Sequence, residues 1–244
     1  MRLPSMVGVK ERMDYCLELG GVLVITGEVG SGKSTSLRWS INQYHPSEVV
    51  TIKVIAGSGT ISELYRQISW GFDLLPATMS RSRLQKDIRN AIYDIVTSRK
   101  QKILLVVDEA NLLKIDVFAE IHTLSQFDHD SRHYLSMVLC GQTNLLDKLA
   151  FRSSEPLASR VIARTHLDTL RREQIVEYLN HHLKIAGVKK NLYHESAVNA
   201  IHQGSGGILR KTNSLARGGL IAAAIENEPL VMAEHIRIAA SELI

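Results

Sequence analysis

The chain has 244 residues, of which 45% are hydrophobic and 22% are charged, a composition typical of folded globular proteins. No apolar run reaches the roughly 18 residues that span a bilayer. No apolar stretch follows Met1–Ser5, so we expect neither a membrane segment nor a signal peptide. Cys16 and Cys140 have neither metal-ligand nor disulfide spacing, which favours a cytoplasmic location. The net charge of +4 is compatible with nucleic acid as a partner.

Apolar runs alternate with amphipathic stretches over residues 1–170, a pattern typical of a parallel sheet covered by helices. A leading helix is predicted over Ser5–Leu19. The predicted strands are 22–26, 49–55, 103–107, 135–140 and 161–167. The predicted helices between them are Lys33–Tyr44, Ile61–Phe72, Arg81–Arg99 and Leu112–Phe127.

The pattern changes near residue 170, beyond which the sequence suggests no further strand. Breaks at Gly187, at the Gly204–Gly207 turn and at Pro229 separate the helical stretches. The predicted helices are Arg171–Ala186, Glu195–Gln203, Ile208–Glu226 and Ala233–Leu243. We therefore predict an α/β domain over residues 1–170 and a small helical domain over residues 171–244.

A glycine-rich segment follows the first predicted strand and has the pattern G-x-x-x-x-G-K-[ST]. Its glycines allow backbone N–H groups to point at phosphate oxygens, and the next helix adds its positive N-terminal end. Lys33 would bind the β- and γ-phosphates, and the Ser34 hydroxyl would coordinate Mg²⁺. The predicted ATP site comprises Gly27, Glu28, Val29, Gly30, Ser31, Gly32, Lys33 and Ser34, with Thr35 close to the phosphates nearer the base.

Two acidic residues, Asp108 and Glu109, end the apolar third strand. Parallel strands end at the same edge of a sheet, so these carboxylates should lie near the glycine-rich loop. We predict that Asp108 holds Mg²⁺ through its water shell and that Glu109 orients and deprotonates the attacking water. Together the two motifs predict a Mg²⁺-dependent ATPase.

Five segments resemble the AAA+ superfamily, and in particular the group that joins ExeA/GspA-type secretion ATPases to TnsC/TniB-type transposition ATPases. They are GEVGSGKST (27–35), ILLVVDEAN (103–111), VLCGQTNL (138–145), LASRV (157–161) and GSGGILRKTNSLA (204–216). The resemblance covers nearly the whole chain. It implies a P-loop NTPase fold with a five-stranded AAA+ core and a C-terminal helical lid.

The resemblance also implies roles for residues outside the two motifs. Gln142, with Asn144 as the alternative, would contact the γ-phosphate or the attacking water. Arg210 would be the lid arginine that responds to the bound γ-phosphate. Val7 and Gly8 resemble the segment that lines the adenine pocket.

One further implied role is that of the arginine finger, which a subunit offers to the ATP of its neighbour. Arg160 resembles this residue, with Arg152 and Arg164 as alternatives. A planar, permanently charged guanidinium suits the spread negative charge of phosphoryl transfer. The resemblance thus implies self-assembly into a ring or a helical filament, hexameric per turn.

Two functions fit an ATPase of this kind. The first is ATP-dependent assembly on duplex DNA as a transposition regulator, with a transposase or target-selector protein as a candidate partner. Lys53, the Gly57–Thr60 turn and a basic helix would face DNA phosphates. The cations of this basic helix and its end are Arg81, Arg83, Lys86, Arg89, Arg99, Lys100 and Lys102.

The second function is a secretion or envelope-assembly ATPase of the ExeA/GspA type that acts on proteins. Such relatives carry a transmembrane segment and a peptidoglycan-binding part after the ATPase, for which this chain offers no counterpart, so we favour the first function. A helicase is disfavoured because 244 residues leave no room for a second motor domain. The Gly-x-x-Arg lid and the Asp-Glu pair disfavour a small-molecule kinase.

Overall fold

The computed structural model describes residues 3–57, 59–75, 80–128 and 132–242. Ser58 in the predicted Gly57–Thr60 turn and Leu243 at the end of the last predicted helix lie outside them. The described residues form two compact units. The α/β unit comprises residues 3–27 and 33–167, and the helical unit comprises residues 28–32 and 168–242. Within the described ranges, no helix is long and apolar enough to cross a membrane.

The α/β unit is built on a five-stranded parallel sheet, which confirms the predicted fold. The strands are β1 (Gly21–Gly27), β2 (Val49–Ile55), β3 (Lys102–Asp108), β4 (Ser136–Gly141) and β5 (Val161–Leu167). Their order in the sheet is β2-β3-β4-β1-β5. The carboxyl ends of β1 and β3 therefore flank that of β4, and this arrangement brings the two sequence motifs to one edge.

Helices cover both faces of this sheet. They are α1 (Pro4–Leu19), α2 (Lys33–Ile41), α3 (Ile61–Gly71), α4 (Arg81–Thr97), α5 (Ile115–Ile121), α6 (Asn144–Ala150) and α7 (Glu155–Ala158). Successive residues of β1 point to opposite faces. Val22 and Val24 pack with residues of α3, α4 and α5, whereas Leu23 and Ile25 pack with residues of α1 and α2.

Two parts of this unit differ from the sequence prediction. The predicted helix over 112–127 is divided into a 3₁₀ turn at Ala110–Leu112, the short α5 and a second 3₁₀ turn at His122–Ser125. At the first 3₁₀ turn a long-range contact competes with the helix, because the Lys148 ammonium donates to the carbonyl oxygens of Asn111 and Leu113 at 2.6 Å. Helices α6 and α7 were not predicted, since elements of seven and four residues show little periodicity.

The helical unit contains α8 (Arg172–Ile185), α9 (Glu195–Ser205), α10 (Leu209–Ile225) and α11 (Ala233–Glu242). Helices α10 and α11 pack closely at glycines. A Cβ atom added at Gly218 would lie 2.6 Å from the Ala239 Cβ, and one added at Gly219 would lie 2.3 Å from the Ile236 Cδ1. Small residues are therefore required on this face of α10.

The turn between α9 and α10 is fixed by buried polar contacts. Gly207 has φ 74°, and its carbonyl oxygen accepts a hydrogen bond from the Leu170 N–H at 2.8 Å. The buried Ser205 hydroxyl accepts from the Gly207 N–H at 3.1 Å and from the Thr212 hydroxyl at 3.0 Å. A Cβ atom at Gly207 would lie 2.2 Å from the Leu170 carbonyl oxygen, so only glycine fits.

We predict that Gly207→Ala destabilises the helical unit far more than Gly206→Ala. Both glycines have positive φ, at 74° and 57°, but a Cβ at Gly206 meets nothing within 4 Å. Gly206→Ala should cost only the left-handed penalty of about 1 kcal/mol. Gly207→Ala should cost about 3 kcal/mol, because backbone atoms must also separate. Urea unfolding of both variants measures this, and equal losses would contradict the prediction.

Candidate active site

The glycine-rich loop joins the end of β1 at Gly27 to the start of α2 at Lys33. Gly30 has φ 84° and Gly32 has φ 97°, backbone angles that residues with a Cβ rarely adopt. These two left-handed turns give the curled backbone that anion-binding loops use. The Ser31 N–H donates to the Glu28 carbonyl oxygen at 3.1 Å.

Lys33 is a buried cation in the first turn of α2. It is only 6% exposed, and its Nζ donates to the Gly27 carbonyl oxygen at 2.9 Å. A buried ammonium is costly unless anionic or polar groups surround it. Because Gly27 ends β1, this bond places the ammonium at the carboxyl edge of the sheet, where β3 ends with Asp108.

The Cys140 thiol, near the end of β4, lies among the charged groups of the site. Burial raises the pKa of Cys140, the Asp108 carboxylate raises it further, and the Lys33 ammonium opposes both effects. The Glu109 carboxylate also raises this pKa. Lys33, Asp108 and Glu109 therefore all lie close to the carboxyl end of β4, as the strand order requires.

The acidic pair occupies an unusual backbone turn at the end of β3. Asp108 and Glu109 are half-buried, and an Asp108 carboxylate oxygen accepts from the Glu109 N–H at 2.9 Å. Glu109 has φ 54° and ψ 33°, in the left-handed region. This conformation costs a residue other than glycine about 1 kcal/mol or more, and such strain clusters at functional sites.

The loop and the strand end each offer groups that could hold phosphate or Mg²⁺. Ser31 is 5% exposed, and its hydroxyl oxygen has no hydrogen-bond partner among the described residues. A buried polar atom of this kind needs a partner, which a phosphate oxygen would supply. Ser34 lies in the first turn of α2, where it and Thr35 are exposed. Ser34 and Asp108 offer the oxygen ligands that Mg²⁺ prefers.

Gln142 directly follows β4 and is half-buried. Its backbone N–H donates to the Asn111 side-chain oxygen at 3.1 Å. Asn144 begins α6 and is exposed. Asn111 was not predicted from the sequence, where its one signal is its place two residues after Glu109 in ILLVVDEAN.

The three candidate finger arginines lie around α7 and β5. The Arg160 guanidinium donates to the Pro156 carbonyl oxygen, and Arg160 is half-buried. Arg152, in the 3₁₀ turn at Arg152–Ser154, and Arg164, on β5, are exposed. The assignment of the finger to Arg160 therefore stays a prediction.

The remaining predicted residues lie at helix starts. Val7 and Gly8 are in the first turns of α1, where Val7 is 38% exposed. Arg210 follows the first residue of α10 and is exposed. Within the helical unit, its backbone N–H donates to the Gly30 carbonyl oxygen at 3.1 Å. The adenine-pocket and lid-arginine roles stay predictions.

Comparison with known proteins identifies the family. Residues 17–149 match the AAA domain family. General secretion pathway protein A of Aeromonas hydrophila is 31% identical over 225 residues, which cover 92% of this chain and 41% of that protein. The chain thus spans about two fifths of the length of this relative.

Solved structures share the fold at low sequence identity. Cdc6p from Pyrobaculum aerophilum has a TM-score of 0.75 at 18% identity, covering 100% of this chain and 68% of that one. ORC1 of Aeropyrum pernix in complex with DNA has a TM-score of 0.70 at 17% identity, covering 99% and 66%. The RuvB Holliday junction branch migration motor of Thermotoga maritima has a TM-score of 0.58 at 16% identity, covering 97% and 69%.

The family match covers more than half of the chain, and it spans the Lys33 loop and the Asp108–Glu109 strand end. The parallel sheet and the solved neighbours agree with it. The chain therefore belongs to the AAA domain family, as an ATPase similar to the ExeA/GspA type.

Proposed function

We propose that the chain hydrolyses Mg²⁺-bound ATP in order to control its assembly with further copies of itself on duplex DNA. One observation carries the ATP chemistry: the Lys33 ammonium is bound at the end of β1, and Asp108 and Glu109 stand at the end of β3, at the same edge of one parallel sheet. Opposite charges at one partly buried edge of a sheet are suited to a ligand that carries both phosphate and metal charge.

Each residue has a distinct task in this proposal. The Lys33 ammonium binds the β- and γ-phosphates, and the curled loop donates its N–H groups to them. Glu109 accepts a proton from the attacking water as the bond between the γ-phosphorus and the ADP oxygen breaks. Gln142 contacts the γ-phosphate or this water. Bound Mg²⁺, held by Ser34 and Asp108, would neutralise charge that develops on the phosphate oxygens.

Assembly follows from the roles proposed for the arginines. Arg160 completes the ATP site of a neighbouring copy, and Arg210 responds to the γ-phosphate of its own site. Val7 and Gly8 line the adenine pocket. ATP then favours the assembled form because one site needs two copies, and hydrolysis removes that preference.

The DNA contact in this proposal depends on cations that are not committed to acidic partners. Several cations of the basic segment form ion pairs, and Arg89 donates to the Thr123 carbonyl oxygen. The pairs are Arg81–Glu120, Arg83–Asp87, Arg99–Asp94 and Lys102–Glu18. Among the described residues, no acidic partner is found for Lys86 or Lys100, and both are exposed. These two lysines are the strongest candidates for phosphate contacts.

A second candidate function is an ATPase of a secretion pathway, located in the cytoplasm and acting on proteins. The 31% identity with general secretion pathway protein A favours it. For the DNA function, the support outside the chain is that neighbours of the same fold were solved with DNA, ORC1 of Aeropyrum pernix and the Drosophila ORC. A transposition role with a transposase or target-selector partner has only the sequence resemblance as its support.

We predict that Glu109→Gln separates hydrolysis from binding. The ATPase rate should fall by about 10²–10⁴-fold, because the base that deprotonates water is lost. The affinity for ATP, measured by calorimetry, should change by no more than about threefold, whereas Lys33→Ala should abolish binding. The exposed Glu11→Gln serves as the control. Full activity in Glu109→Gln would rule out the assigned base.

We predict that Ser31→Ala weakens nucleotide binding without destabilising the nucleotide-free protein. The Ser31 hydroxyl has no partner to lose among the described residues, so its removal should leave the free energy of unfolding unchanged or raise it. Ser136→Ala is the matched control, since the buried Ser136 hydroxyl donates to the Cys16 carbonyl oxygen at 2.9 Å. That variant should lose about 1 kcal/mol. Thermal unfolding with and without ATP tests both.

We predict salt-sensitive, ATP-dependent binding to duplex DNA. Replacing Lys86 and Lys100 together by Glu should weaken binding and flatten its dependence on salt, since fewer counterions are released. Replacing the exposed Lys189 and Lys190 by Glu makes the same charge change on the helical unit and is the control. Gel shifts over a salt series, with electron microscopy in a non-hydrolysable ATP analogue, give the readout. Equal effects of the two pairs, or no DNA binding at low salt, would favour the secretion function.

A further inference from the structure

We infer that Asn111 is a positioning residue that holds the ends of β3 and β4 together, so that the Glu109 and Gln142 side chains both act at the same γ-phosphate. The inference rests on the proposed ATPase function and on the roles given there to these two residues. Asn111 itself touches no reacting atom in this account. It acts through the backbone of the two segments that carry the reacting side chains.

The regular pairing of β3 with β4 ends before it reaches Glu109 and Gln142. The paired residues of β3 and β4 end with Val107 and Leu139. Glu109 and Gln142 both lie beyond this last pair, so regular sheet hydrogen bonds do not set the distance between them. The bond from the Gln142 N–H to the Asn111 side-chain oxygen, 3.1 Å long, bridges the gap.

The bridge is buried and closely fitted. Asn111 is 4% exposed, so its amide cannot exchange this partner for bulk water without cost. A Cβ atom added at Gly141 would lie 2.6 Å from the Asn111 side-chain oxygen and 3.0 Å from its backbone nitrogen. The two segments therefore approach as closely as glycine allows.

Lys148 provides a second tie in the opposite direction. It lies on α6, in the chain segment after Gln142, and its Nζ donates to the Asn111 and Leu113 carbonyl oxygens, each at 2.6 Å. The Asn111 side chain, after β3, thus binds the backbone of Gln142, after β4. In return, the Lys148 side chain, further along the chain after β4, binds the backbone of Asn111 and Leu113. Two ties in opposite directions fix a relative position better than one.

The turn after β3 that these hydrogen bonds hold contains Glu109, whose backbone conformation is strained. Glu109 is in the left-handed region, and the Leu112 N–H donates to its carbonyl oxygen at 2.8 Å. A residue other than glycine leaves this conformation unless its surroundings enforce it. Loosening Asn111 should therefore let Glu109 relax and move its carboxylate, while the Lys33 loop keeps its own bond to Gly27.

The test compares Asn111→Leu with Asn111→Asp. Leucine has a similar size and no acceptor, and aspartate retains an oxygen for the Gln142 N–H. We expect Asn111→Leu to lower kcat by about 10–100-fold, because small misplacements near the reacting atoms have effects of this size. Its Kd for a non-hydrolysable ATP analogue should stay within about threefold of the wild type. Asn111→Asp should recover most of kcat, because its carboxylate oxygen can still accept from the Gln142 N–H.

A double variant separates positioning from general loss of structure. If Asn111 acts through Gln142, then Asn111→Leu combined with Gln142→Ala should lose less than the product of the two single effects on kcat. Multiplicative effects would overturn the inference. So would an unchanged kcat in Asn111→Leu, or equal losses in Asn111→Leu and Asn111→Asp.

Lys148→Met provides a second test in case Asn111→Leu does not fold. It removes the second tie alone and should also lower kcat with little change in Kd, and an unchanged kcat would overturn the inference. A wild-type protein that does not bind or hydrolyse ATP would contradict the proposed function instead. A wild-type ATPase that is indifferent to Asn111 and Lys148 would contradict only the positioning role.

Discussion

The site depends on surrounding the Lys33 ammonium with polar and anionic groups in a place that water scarcely reaches. Burying a cation without such groups is costly to the fold. Here the Gly27 carbonyl oxygen accepts from Lys33, and the Asp108 and Glu109 carboxylates lie near the same strand end. That proximity exists because β4 lies between β1 and β3. The strand order is therefore an electrostatic requirement of the site as well as a feature of the fold.

Two features of the site are unfavourable in the protein alone. The Ser31 hydroxyl is buried without a partner among the described residues, and Glu109 adopts a left-handed backbone conformation. Natural sequences tolerate such local conflicts mainly where function requires them. A phosphate oxygen would satisfy the hydroxyl, and a fixed Glu109 carboxylate would hold water in one orientation. Both unfavourable features would therefore contribute to the site once a nucleotide is bound.

Strong local patterns made the sheet and the main motifs predictable from the sequence. Each predicted strand overlaps the observed one closely, since continuous apolar runs are typical of buried parallel strands. The single helix predicted over 112–127 was wrong. At its start, Lys148 donates to the Asn111 and Leu113 carbonyl oxygens, a contact between distant residues that no local periodicity encodes. The ion pairs of the basic segment could not be predicted either, because Arg81 and Lys102 pair with Glu120 and Glu18, which are distant from them along the chain.

The segment between Gln142 and Arg160 connects the two ends of the proposed assembly mechanism. It contains α6 and α7, and its Leu145, Leu149 and Leu157 side chains are buried in the same core cluster as Val107 and Leu139. Arg160 in turn holds the Pro156 carbonyl oxygen in α7. The residue proposed to contact the γ-phosphate and the residue proposed to reach a neighbouring copy are therefore carried by one well-packed stretch of chain. Because well-packed interiors transmit strain, a change at the β4 end would also be felt at Arg160, the residue proposed as the finger.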